Sequence, residues 1–284
     1  MAKQDILKIW QKTAKMWQKV KPTYRPSKIE IELFEKFLKK VLKEMGRKDF
    51  KVLVLGATPE VRDLLAKYRL DATLLDANKI MFKAMSQLIK KKNPRERFVR
   101  GNWLKMPLKN SSFDLVISDH PTSSIEYKNA DKFFSEIQRI LKPQGFFIID
   151  IHINAELPPL TTDEYIETYR KDPSKWSSNF DNHVLAQYRT IMGYENYYNP
   201  KTFRSQWGKL DKMLRLRYKS GKLTKKEYNN LICGLGENYI FNFYTKKAAE
   251  KVIKKYFKIL NYQHIKAHPV YKYYWPCFAK SLKR

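Results

Sequence analysis

The sequence predicts an α/β fold: a doubly wound sheet with N-terminal helices before it and a helical cap inserted after its fifth strand. Three observations carry that prediction. Short apolar runs recur through the middle of the chain, at 51–56 (KVLVLG), 71–77 (DATLLDA), 97–103 (RFVRGNW), 113–119 (FDLVISD) and 145–151 (GFFIIDI). Stretches of helical period separate most of them, from 59 onward and over 78–92 and 130–141. Strands joined through single helices pair in parallel by right-handed crossovers, and that pairing is the doubly wound arrangement.

Each element has its own local reason. Over residues 5–20, Ile6, Ile9, Trp10, Thr13, Met16, Trp17 and Val20 fall on one helical stripe, and Lys21-Pro22 ends it. Ser27-Lys28-Ile29-Glu30 reads as a capping box, in which hydroxyl and carboxylate satisfy the first free amides of a helix over 28–45. Gly46 stops that helix. Residues 1–49 are thus read as an N-terminal helical lid. Thr58-Pro59-Glu60 opens the next helix with a cap, a proline at the first position and an acid in the first turn.

After Ile151 the rhythm breaks. Residues 152–236 are rich in aromatics and hold two further capping boxes, Thr161-x-x-Glu164 and Thr224-x-x-Glu227. Ser220-Gly221 closes a long basic helix between them. YIFNFYT, a helix over 246–257, KILNYQHI and YYWPCFAKSLK then resume an α/β rhythm. The insert therefore reads as a cap on the substrate side. The division is 1–49, a core at 50–151, the cap at 152–236, and 237–284.

The 284-residue chain suits one large α/β domain with an elaboration, and 43% hydrophobic and 14% aromatic residues supply a core. No apolar run approaches the ~20 residues that span a bilayer, and no secretory signal is visible. Cys233 and Cys277 are isolated and in no metal spacing. The expectation is a reduced, cytoplasmic chain with no bound metal and no membrane. The net charge of +29 is uneven. Residues 1–50 carry +8, residues 51–200 carry +4, and residues 201–284, with 21 basic against 4 acidic side chains, carry +17. A phosphate-rich partner such as RNA is one reading of that asymmetry. A lysine-filled solvated surface is the other.

In doubly wound sheets, ligands bind at the carboxyl ends of the strands where the crossover direction switches. That rule selects Gly56–Glu60, Asp76–Asn78, Gly101–Trp103, Asp119–His120 and Asp150–His152. Gly56 and Asp76 are 20 residues apart, the spacing at which an acid after the second strand meets ribose hydroxyls. A dinucleotide fold needs three glycines for its diphosphate, yet Thr58 and Glu60 occupy the later positions. A carboxylate in the first helical turn repels a diphosphate. S-adenosylmethionine carries adenine and ribose with no phosphate, and a loop with one glycine can serve it.

The order VLVLG, LLDAN, GNWLKMPLKNSSFDLVISD and EIQRILKPQGFFIID resembles the class I S-adenosylmethionine-dependent methyltransferases, especially the type-11-like group. The resemblance covers residues 50–151. The helix–strand–strand ending at 246–283 is similar to the antiparallel hairpin that completes the family's seven-strand sheet. By that resemblance Gly56, with Ala57 and Thr58, packs under the methionine part, and Asp76 holds the ribose beside Ala77 and Asn78. Asn102 stands where the family places an acid for the adenine amine, Trp103 lies against the adenine face, and Asp119 approaches the methionine group. Val54 replaces the family's usual acid in the first strand.

Methyl transfer needs alignment of an acceptor with the methyl carbon, and a base only where the acceptor must lose a proton. His120 and His152, after the fourth and fifth strands, are the candidates on the reactive edge. Strand-end hydrogen bonding is the plainer role for either. Trp10, Trp17 and the segment Tyr24-Arg25-Pro26 can close as a lid, as N-terminal segments do in similar enzymes, or the amphipathic helix simply docks against the sheet. Tyr194 and Tyr197, in YENYYNP, are the candidate substrate-facing residues with Tyr24. The expected activity is methyl transfer to a small-molecule acceptor beneath the cap. The alternatives are RNA methylation through the basic C-terminal third, or a cofactor-binding module without transfer.

Overall fold

The computed structural model describes residues 25–46, 50–173, 180–193, 197–232 and 240–283. The stripe at 5–20, Tyr24, Trp176, Tyr194 and Cys233 lie outside the described residues. Seven strands form one sheet: β1 (Lys51–Leu55), β2 (Asp71–Asp76), β3 (Glu96–Arg100), β4 (Phe113–Asp119), β5 (Leu141–His152), β9 (Phe257–Tyr262) and β10 (Tyr274–Ser281). Their order is β3-β2-β1-β4-β5-β10-β9. β1 pairs in parallel with both β2 and β4, so the winding reverses at β1 and opens a crevice at the carboxyl ends. β10 runs antiparallel between β5 and β9.

Both faces of the sheet are covered, and the strand alternation shows it. Val52 and Val54 join one apolar cluster, whereas Leu53 and Leu55 join the other. On the first face lie helices α1 (Lys28–Met45) and α2 (Pro59–Lys67). The opposite face carries α4 (Ala130–Ile140) and α9 (Lys246–Ile253). A shorter helix, α3 (Lys79–Ser86), follows β2.

The α1 capping box forms as its sequence dictates: Ser27 N donates to Glu30 Oε2 (2.8 Å), and Glu30 N donates to Ser27 Oγ (3.3 Å). Gly46 ends the helix in the left-handed region. The helix packs into the core, where Leu33, Phe34, Phe37, Leu38 and Val41 are all buried. Phe37 stacks on Phe278 of β10 at 5.3 Å.

Several elements are shorter than their periodicity predicts. The helix expected over 78–92 ends at Ser86, and Asp63 accepts from the amides of Lys90 and Lys91 in the chain that follows. The strand expected over 97–103 ends at Arg100. There the chain turns through Gly101, where an added Cβ would sit 2.5 Å from Pro107 Cδ and 2.8 Å from Leu75 Cδ1. Gly101→Ala should therefore lower stability by about 1–3 kcal/mol, read as a lower urea midpoint. An unchanged midpoint would show that Pro107 yields freely.

The insert is not wholly helical. Helices α5 (Thr162–Lys171), α6 (Phe180–Gly193), α7 (Trp207–Lys219) and α8 (Lys225–Leu231) accompany a small antiparallel sheet of β6 (Tyr198–Asn199), β7 (Arg204–Gln206) and β8 (Ile240–Asn242). β8 lies beyond residue 236, the expected end of the cap, so the inserted structure reaches Asn242. Ile153 and Tyr244 form a parallel bridge where the chain leaves and rejoins the core. Asn242 Nδ2 donates to Ser123 O (2.9 Å) and Tyr244 OH donates to Ile125 O, tying the insert to the loop after β4.

Candidate active site at the carboxyl edge

Gly56 closes β1 with φ at 108°, a conformation that L side chains rarely adopt. Its amide donates to Leu75 O (3.0 Å), so the turn lies directly beside the end of β2 and Asp76. Asp76 Oδ1 accepts from Asn78 N (2.7 Å). Burial pushes the Asp76 carboxyl up to about 6, partly offset by the amides of Asn78 and Ala77. Trp103 Nε1 donates to Leu75 O (2.8 Å), and the indole edge lies over the open side of Gly56. The two predicted ends of a nucleoside site and the predicted aromatic are thus brought together.

The remaining crevice residues vary in how far they are committed. Ala57 is buried and Ala77 exposed. Thr58 precedes α2 but its hydroxyl caps nothing, contrary to the predicted cap. Asn78 caps α3 through Oδ1, accepting from Ile80 N and Met81 N. Asn102 is exposed, and its Oδ1 accepts from Leu104 N (2.9 Å). Glu60 is held up by burial, with Arg25 3.6 Å away and Oε2 buried without a partner.

Asp119 and His120 end β4. His120 is in the left-handed region at φ 46°, a costly conformation outside glycine that redirects the chain into Pro121. Its Nδ1 contacts Asp119 Oδ1 at 2.7 Å, and its Nε2 is 3.5 Å from Asp150 Oδ2. His152 stacks on it at 3.8 Å between ring centroids. His152 Nδ1 is 3.4 Å from Ser123 Oγ, and its Nε2 is buried without a partner. The two histidines are driven apart electrostatically. Burial opposes a charge on His120, but Asp119, Asp150 and Glu30 outweigh it and raise its pKa to about 9. Burial and the neighbouring His120 hold His152 well below its usual range.

Glu30 escaped prediction, and Asp150 was named only as part of the strand end Asp150–His152. Glu30, read only as a capping acid, turns its second oxygen, the buried Oε1, into this cluster. Burial and Asp150 raise its pKa. Asp150 is fully buried within β5, and burial raises its pKa against the pull of His120. The signal for Glu30 was its place on the apolar stripe of α1, three and four residues before Leu33 and Phe34. Tyr197, a candidate substrate-facing residue, is buried in the insert with its hydroxyl 3.0 Å from Thr162 Oγ1. The tight packing of insert aromatics claims it.

Residues 55–149 match the family described as a methyltransferase domain. A sterol 24-C-methyltransferase of Gibberella zeae is 36% identical over 67 residues, 22% of this chain and 17% of that protein. An uncharacterized protein of Methanocaldococcus jannaschii is 32% identical over 117 residues, 41% of this chain and 47% of that protein. The chain therefore spans less than half the length of these curated relatives. Among solved structures, the CcbJ methyltransferase of Streptomyces caelestis aligns with a TM-score of 0.60 at 11% identity, covering 96% of this chain and 97% of that one. A Pyrococcus horikoshii OT3 protein aligns at 0.54 and 16% identity over 94% and 98% of the two chains. The N-methyltransferase NodS of Bradyrhizobium japonicum WM9, solved with S-adenosyl-l-homocysteine, aligns at 0.50 and 9% identity over 91% and 90%. The matched methyltransferase domain occupies the strands that build the crevice, and the seven-strand sheet around it has the fold of the class I S-adenosylmethionine-dependent methyltransferases.

Proposed function

We propose that the chain moves the methyl group of S-adenosylmethionine to a small-molecule acceptor held beneath the insert. The observation that carries this reading is the juxtaposition of the Gly56 turn with the Asp76 carboxylate across the β1–β2 pair. The residues fit such a donor. Asp76 can accept from ribose hydroxyls, and Gly56, Ala57 and Thr58 leave a turn with a free hydroxyl. The acids Glu60 and Asp119 suit a cationic methionine end and oppose a diphosphate. Ala77, Asn78, Asn102 and Trp103 line the adenine side. When bound, the cofactor supplies a methyl carbon on a sulfonium leaving group.

The chain's own contribution is positioning and exclusion of water. His120 and His152 border the acceptor side. The Nε2 of His152, unpartnered and buried, is the atom placed to take a proton where the acceptor must lose one. Tyr24 and Tyr194 are assigned to the acceptor by sequence position alone.

RNA is the second reading, favoured by the +17 carried by residues 201–284. One calorimetric experiment addresses both. The full chain should bind S-adenosylmethionine and its demethylated product one to one with little response to salt. Failure of both to bind overturns the donor assignment. Binding without turnover on any acceptor would instead mark a cofactor-binding module. An RNA acceptor would show log affinity falling steeply and linearly with log salt, whereas a small acceptor would barely respond.

A further inference from the structure

The acids gathered under α1 exceed what donor binding requires. Glu30, Asp119 and His120 each offer a ligand atom, and these atoms all lie within 4.8 Å of one another. Asp150 adds a fourth group, with Oδ2 3.5 Å from His120 Nε2. Ligands about 2.1 Å from a shared ion stand about 3.0–3.5 Å apart, so that last separation already matches one edge of a coordination sphere.

Two further features point to a ligand. Glu30 and Asp150 are only 1% and 0% exposed, and their carboxyl groups pair with each other while no other side chain hydrogen-bonds Glu30 Oε1 or either Asp150 oxygen. Buried charges of that kind are ordinarily paired or bound to a metal. His120, meanwhile, turns Nδ1 to Asp119 and leaves Nε2 unpartnered toward Asp150. A carboxylate on one ring nitrogen fixes the tautomer and aim of the other, the usual setting of a metal-ligating imidazole.

We propose that Glu30, His120 through Nε2, and Asp150 bind one divalent transition-metal ion at the carboxyl ends of β4 and β5, with Asp119 holding the imidazole through Nδ1. Carboxylate oxygens with one imidazole nitrogen suit Mn²⁺, Fe²⁺, Co²⁺ or Zn²⁺ better than Mg²⁺ or Ca²⁺, which prefer oxygen alone. Binding draws the more distant donors together by about 1 Å. The site departs from the metal-free chain that cysteine spacing predicts, because its ligands come from one helix and two strand ends. It stands independently of the acceptor's identity.

The test uses the full chain stripped with a chelator, then titrated separately with Mn²⁺, Co²⁺ and Zn²⁺ by calorimetry, with Mn²⁺ also followed by electron paramagnetic resonance. One ion per chain is expected. Glu30→Gln and Asp150→Asn should each weaken binding at least ten-fold, while their metal-free melting temperatures hold or rise because like charges are removed. Should either variant fail to fold, the wild-type NMR signal of the His120 imidazole on adding Zn²⁺ decides: a stoichiometric shift supports the site, and none refutes it. The proposal is overturned if no ion binds stoichiometrically or if both variants bind normally. It is also overturned if S-adenosylmethionine displaces the ion one for one, since the cluster would then seat the donor's ammonium.

Discussion

Truncating Phe37 to alanine should cost about 3–5 kcal/mol of unfolding free energy and leave donor affinity nearly unchanged. Phe37 is fully buried in α1 and stacks on Phe278, which in turn stacks on Phe146 of β5 at 5.5 Å. The substitution removes an aromatic ring from the middle of one sheet face, and neighbours of fixed backbone cannot close over the space. Urea unfolding measures the loss, and calorimetry on the folded variant measures donor binding. A loss under about 1 kcal/mol accompanied by weakened donor binding would mean that α1 behaves as a detachable cover.

Asp76→Ala should weaken S-adenosylmethionine by about 1.5–3 kcal/mol, the range for a charge-assisted hydrogen bond, or about 10- to 150-fold in Kd. Unchanged Kd would show that the ribose lies elsewhere. The raised carboxyl adds a pH signature. Only ionised Asp76 accepts from both ribose hydroxyls, so affinity should be flat above about 6 and fall as pH drops through that value. Asp76→Asn should flatten the profile. Its stability runs the opposite way. The folded chain holds this proton more tightly than the unfolded chain, so ionisation costs stability progressively from the ordinary carboxylate range up to about 6. Asp76→Asn should therefore melt higher than wild type at neutral pH.

The sheet was legible because its strands are apolar on both faces and bounded by strong caps. Ser27, Thr161 and Thr224 each form the predicted box with Glu30, Glu164 and Glu227. Gly56 and Asp76 were legible because adjacent parallel strands bring positions 20 apart into register. The rest required three dimensions. Glu30 joins His120 and Asp150 only when α1 packs on the sheet, so no spacing along the chain announces it. Asn78 follows an acid as a ligand would, yet it caps α3. The strands of the insert are two or three residues long, too short for alternation to distinguish them from loops.

The bridge between Ile153 and Tyr244 has an evolutionary consequence. The chain departs and returns at neighbouring points, so the intervening stretch can change in length or be exchanged without moving the two strand ends it joins. The residues that pack on the sheet, such as Tyr188 against Tyr274, must be kept. Loop closure grows only slowly with length, which makes this stretch a natural cassette. Grafting a relative's segment between these two anchors should retarget the acceptor while the donor crevice is inherited whole.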